Sequence, residues 1–321
     1  MPFRLLGLIF AGLLLTSCAG ADLPGFADSA VEATTGVNPQ QEMERRMDPD
    51  RRARELEAQQ NEIGVREEIT AADTDTRSLA SLMRLYSNWS VLLVAGDYRA
   101  STGAPTDAFD NARRAMAQNL QGLGFDAANM AQLSVRPERY GDPRVHSATY
   151  ENINNDLRAQ RQEAVDGCMV YITSHGTPQG VSMGETGIVA PDQLNEILEN
   201  NCVTSPTIVI VSACYSGSFA AGDMAQPNRI IMTAARSDRA SFGCGEGDRY
   251  PYFDNCLFQS FPQSADWIDF ARNVRGCVQS REQAEGLTPP SSPQVFIGEE
   301  MRDIAESPFL AGNFGSSSSG F

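Results

Sequence analysis

Three stretches of the chain are apolar without alternation: residues 91–95 (VLLVA), 168–172 (CMVYI) and 208–211 (IVIV). Such runs are apolar toward both faces, which marks central strands covered by helices on each side. Between them the period changes. Phe109, Ala112, Met116 and Leu120 recur at helical spacing within residues 107–123, and Gly122 and Gly124 stand near the end of that helix. A weaker strand is expected near residues 130–135, a polar helix over 149–165 and a helix over 191–201 opened by Pro191. Further strands are predicted at 229–236 and 294–298, separated by a loop-rich stretch and a helix at about 266–285. Strands alternating with helices predict an α/β protein with a mostly parallel central sheet.

Two of these strands end in reactive side chains. VYITSHG (170–176) delivers His175, and IVIVSACYSG (208–217) delivers Cys214 after one intervening helix, so the two strands are expected to be parallel neighbours. In open α/β sheets ligands bind beyond the carboxyl ends of the strands. A buried thiol or a core histidine is ordinary when met alone; two like strands ending in His-Gly and Cys-x-Ser-Gly are not. The thiolate is the nucleophilic form of cysteine, and a nearby histidine can take the thiol proton and return it to a leaving amine. Gly176 lets a backbone N–H approach an oxyanion closely, and the N–H of Cys214 is the natural second donor. Ser216 lacks a nucleophile-elbow frame and is read as stabilising the turn. His146, in the polar GDPRVHSA, is read as surface.

The segments Ser174-His175-Gly176 and Ala213-Cys214-Tyr215-Ser216-Gly217, in this order and each behind an apolar strand, resemble the legumain-like cysteine peptidases of family C13, relatives of the caspases. The resemblance extends over about residues 88–298 and includes Thr233-Ala234-Ala235-Arg236 and Ser241-Phe242-Gly243-Cys244. It implies a caspase/legumain-like three-layer sandwich, a His175/Cys214 dyad that cleaves peptides through a thioester, and an oxyanion hole that includes Gly176. It also implies that Ser241 and Asp254 fall near the specificity pocket. Ser212 stands where these peptidases usually carry an acid, and Thr102-Gly103-Ala104-Pro105 replaces their Asn-Tyr-Arg-His motif, while Asp107 matches the aspartate that follows it. The expected pocket is therefore Ser212, Ser241, Asp254 and Asp107, with a substrate side that departs from the family. The alternatives are a partner-binding lipoprotein without catalysis, and a transpeptidase or ligase in which an amine resolves the thioester.

Composition narrows the partners. The chain of 321 residues has 41 acidic against 25 basic side chains, a net charge of −16, and no basic run that would follow a phosphate backbone, so nucleic acid is not expected. Protein or peptide substrates are expected, with no cofactor. The seven cysteines include no CxxC, and the histidines are His146 and His175 alone, so no metal site is expected. The N-terminus has Arg4, an apolar stretch over residues 5–15 and then Leu15-Thr16-Ser17-Cys18, which resembles a bacterial lipobox with Cys18 as the lipidated residue. Ala19 after it points to the outer membrane, so the expected location is the bacterial cell envelope, lipid-anchored on the periplasmic side. The expected division is a signal peptide at 1–17, a tether and charged helical segment at 18–80, a peptidase domain at 81–300 and a low-complexity tail at 301–321. Cys244 and Cys256, bracketing a glycine-rich stretch, could staple that loop.

Overall fold

The computed structural model describes residues 85–309. The signal peptide, Cys18 and the whole of the tether and charged segment at 18–80 fall outside the described residues. In chain order the structure comprises β1 (Trp89–Ala95), α1 (Ala108–Gly122), β2 (Met130–Ser134), β3 (Val145–Ser147), α2 (Tyr150–Glu163), β4 (Gly167–Thr173), β5 (Gly176–Thr177), β6 (Gly180–Ser182), β7 (Ile188–Val189), α3 (Pro191–Cys202), β8 (Thr207–Ser212), β9 (Arg229–Thr233), α4 (Tyr252–Ser260), α5 (Trp267–Ala284), β10 (Gln294–Ile297) and α6 (Arg302–Ala305).

Seven strands form one sheet in the order β10-β9-β8-β4-β1-β2-β3. All neighbours pair in parallel except β10, which runs antiparallel to β9. The three runs without alternation are its central strands, β1, β4 and β8, and every residue in them is buried. Successive side chains divide between two helical layers. Val91, Leu93, Met169, Tyr171, Ile208 and Ile210 pack with α1, α4 and α5 on one face. Leu92, Val94, Val170, Ile172, Val209 and Val211 pack with α2 and α3 on the other. The expected α/β sandwich with a mostly parallel sheet is what the structure shows.

Helix starts follow local chemistry. Thr149 caps α2 by accepting from Asn152 N at 3.1 Å, and Asp266 caps α5 by accepting from Asp269 N at 2.8 Å. Pro191 sits at the first turn of α3, where its missing N–H costs nothing. Elements absent from the sequence-based expectation are β3, the small antiparallel sheet β5-β6-β7, and α4 within the stretch expected as loop. Residues 301–309, expected as part of the tail, carry α6, and Phe309 packs on Trp267, with ring centroids 5.1 Å apart. The disulfides also differ from the expected staple. Cys256 pairs with Cys277, joining α4 to α5, rather than with Cys244, and a second bridge joins Cys168 on β4 to Cys202 at the end of α3. The adjacency of α4 and α5 decides this pairing, since it brings two residues 21 apart in sequence to a Cα separation of 5.7 Å.

Candidate active site at the carboxyl edge of the sheet

The strands β1, β4 and β8 are consecutive in the sheet and end level with one another, Ala95 opposite Thr173 and Thr173 opposite Ser212. Each continues into a short turn bearing one part of the site: Asp97-Tyr98-Arg99 after β1, Ser174-His175-Gly176 after β4, and Ala213-Cys214-Tyr215 after β8. The turn after β8 is abrupt because Tyr215 adopts a left-handed conformation, φ 59°, its N–H donating to Arg239 O at 2.7 Å. Ser216 fastens that turn. Its hydroxyl donates to Ala213 O at 2.7 Å and accepts from Ala235 N at 3.2 Å, the structural role expected of it.

The histidine and cysteine turns touch. A Cβ built on Gly176 would stand 2.0 Å from the carbonyl oxygen of Cys214 and 3.0 Å from Ala213 Cβ, so only glycine fits between them. Phe109 of α1 supplies a shared apolar wall. It packs edge-on against the His175 ring at 5.1 Å and lies in one small buried cluster with Cys214, Ala95 and Cys244.

His175 is buried, and its Nε2 lies 2.7 Å from the main-chain oxygen of Arg99. A carbonyl can only accept, so Nε2 carries the proton and Nδ1 is the basic nitrogen of the neutral ring. That carbonyl is held in place by Asp97, whose Oδ1 accepts from Tyr98 N at 2.7 Å, Arg99 N at 3.0 Å and Arg99 Nε at 3.1 Å. Its Oδ2 accepts from Arg99 Nη2 at 3.2 Å. Asp97 and Arg99 were not among the expected site residues. The signal available was their position, directly after an unbroken apolar strand ending in Gly96.

Cys214 is the free cysteine among the described residues and is 1% exposed. Burial pushes its thiol up to about 12, opposed by hydrogen bonds from Ser241. The Ser241 N–H points at Sγ from 3.2 Å, and Sγ lies 3.6 Å from both Ser241 O and Ser241 Oγ. The resting sulfur is therefore a protonated thiol that donates to a carbonyl, with a main-chain N–H ready to stabilise charge on it.

The four expected pocket residues separate into three places. Ser241 is at the sulfur. Ser212 and Asp254 are together and buried where the end of β8 meets α4, Ser212 Oγ donating to Asp254 Oδ2 at 2.9 Å. Asp107 belongs to neither group. It precedes α1 and is paired with Arg136 at 3.0 Å and Arg139 at 2.7 Å. The loop with Thr102 hydrogen-bonds to Glu246 at the surface, and His146 is an exposed partner of Asp156.

A buried histidine and thiol on neighbouring strand ends define a cysteine–histidine site on an α/β scaffold. The model of the peptidase C13 family matches residues 144–282, a span that contains His175, Gly176, Cys214, Ser241 and Asp254, and this match supports a cysteine-peptidase-type function. A crystal structure of caspase-1 from Spodoptera frugiperda is similar over 74% of this chain and 94% of that one, at 14% identity and a TM-score of 0.48. No curated protein matches the chain.

Proposed function

We propose that this chain is a legumain-like cysteine endopeptidase, with Cys214 as nucleophile and His175 as general acid and base. The observation that carries the reading is the direct packing of Gly176 on the Cys214 carbonyl, which brings the two reactive turns together where strands β4 and β8 end side by side. As sulfur attacks the substrate carbonyl carbon, the thiol proton passes to Nδ1 of His175, and the Arg99 carbonyl holds the resulting imidazolium through Nε2–H. The main-chain N–H groups of Gly176 and Cys214 receive the oxyanion. Collapse breaks the C–N bond, the amine leaves with the proton from His175, and a thioester to Cys214 remains. Water, deprotonated by the neutral His175, then attacks the thioester and releases the acid and the thiol. The location proposed with this activity is the periplasmic side of a bacterial outer membrane, with anchoring through Cys18; two disulfides among the described residues support only its first requirement, an oxidising compartment reached by export.

The test is labelling of the purified chain with a peptidyl acyloxymethyl ketone, alongside cleavage of a peptide library read by mass spectrometry. Labelling at Cys214 that disappears in Cys214→Ala and falls in His175→Ala is expected. Equal labelling with and without His175 would sink the dyad. Products joined to an added amine, rather than hydrolysed, would make the enzyme a transpeptidase.

A further inference from the structure

Asp254 is fully buried on α4, and its carboxyl accepts three hydroxyl hydrogen bonds from two different strands. Tyr171 OH reaches Oδ1 at 2.7 Å, while Thr173 Oγ1 and Ser212 Oγ both reach Oδ2, at 2.8 and 2.9 Å. Thr173 and Ser212 face each other across the β4–β8 ladder, and each lies two residues before a reactive side chain, His175 and Cys214. One oxygen thus bridges the last rungs of the strands that carry the two halves of the site. Tyr171, whose hydroxyl is itself held well above its usual range by burial and by this carboxyl, closes the third side.

From this convergence we infer that Asp254 is a positioning residue, a clamp inside the fold that fixes the His175 turn against the Cys214 turn through Thr173 and Ser212, and not a lining residue of the substrate pocket. The inference rests on the dyad reading of those two residues. It explains why a serine stands two positions before the cysteine: its short hydroxyl reaches a carboxylate already buried beneath the sheet, where a second acid would set two carboxylates against one another without a cation. A clamp of this kind acts on the alignment of nucleophile and base, so its loss lowers turnover, whereas a pocket wall acts on which side chain is bound.

The experiment compares Ser212→Ala, Thr173→Val, Asp254→Ala and Asp254→Asn with the wild-type chain. It measures kcat and KM on a peptide found by library cleavage, and separately the rate at which iodoacetamide modifies Cys214 in the folded protein. Ser212→Ala and Thr173→Val are expected to lower kcat about 10-fold with KM within about 2-fold, since each removes one of the two hydroxyls that Asp254 Oδ2 bridges beside the reactive turns, Tyr171 still holding Oδ1 in the second variant. Asp254→Ala should fall further, and Asp254→Asn should recover most of the loss, because an amide oxygen keeps the two bonds that bridge the strands. If Asp254→Ala does not fold, the two hydroxyl variants carry the test alone. An altered side-chain preference or KM with kcat unchanged would overturn the clamp in favour of a pocket role, as would wild-type kinetics in both hydroxyl variants. A wild-type chain that cleaves nothing would sink the peptidase reading instead; the iodoacetamide rate then decides the clamp, which fails if all four variants react as the wild type does.

Discussion

Asp254 also sets a measurable pH dependence of stability. Burial pushes its carboxyl up from 3.8 to about 6, against the three hydroxyl bonds, which lower it. Each pH unit of displacement is worth about 1.4 kcal/mol, so above pH 6 the folded state bears a cost of about 3 kcal/mol for keeping this group ionised. The sign follows from proton counting. Between the unfolded and folded values the native state binds more protons, so stability rises as pH falls from about 6 toward about 4. Tyr171 from β4, held well above its usual range by burial and by this carboxyl, stays neutral throughout and does not share the titration. Asp254→Asn removes the titration while leaving the side-chain shape. Urea unfolding of both proteins should therefore show the wild type losing about 2 kcal/mol relative to the amide variant between about pH 4.5 and pH 7.5. A difference between the two that stays flat across this range would refute the assignment of a buried, ionising carboxyl.

Other expectations concern the remaining contacts. Asp97→Ala frees the Arg99 carbonyl that holds His175 Nε2 and should lower kcat by roughly 10- to 100-fold with KM within about 2-fold, as read from steady-state kinetics; an unchanged kcat would remove Asp97 from the positioning of the histidine. Gly176→Ala places a methyl carbon on the Cys214 carbonyl and should cost about 1–3 kcal/mol by thermal or urea unfolding and abolish probe labelling of Cys214, with retained labelling counting against the close approach. Reduction of the Cys168–Cys202 bridge, which closes a separation of 34 residues, should lower stability by about 3–4 kcal/mol in the chain-entropy account, seen as a lower urea midpoint when Cys168→Ala/Cys202→Ala is compared with the oxidised wild type.

What the sequence shows and what it hides divide along physical lines. Strands β1, β4 and β8 are legible because full burial on both faces requires an unbroken apolar run, and helices α1, α2, α3 and α5 because one buried face imposes a 3.6-residue period. The two- and three-residue strands β5, β6 and β7 are too short to carry any period. Helix α4 has only nine residues, follows Pro251 and a glycine-rich stretch, and buries Phe253, Cys256 and Leu257 in about two and a half turns. The Cys256–Cys277 bridge depends on the packing of α4 against α5, which no spacing within the chain encodes.

The site divides in the same way, and the division bears on how it works. His175 and Cys214 are visible because their side chains are chemically conspicuous and end apolar strands. The third contribution, the Arg99 oxygen, is a main-chain carbonyl, which any residue would provide, so residue identity at 99 carries no signature of it. What does carry one is Asp97, the residue that bends the chain after β1 so that this carbonyl faces β4. The same logic holds beneath the sheet, where Ser212 is conspicuous only as the absence of an acid and becomes intelligible when Asp254 is found supplying that acid from α4. Three adjacent parallel strands thus end in three turns, and two carboxylates that touch neither sulfur nor imidazole in the hydrogen-bonding pattern hold those turns in place. Positioning at this site therefore comes from the second layer of residues, and that layer is where single substitutions should separate turnover from folding.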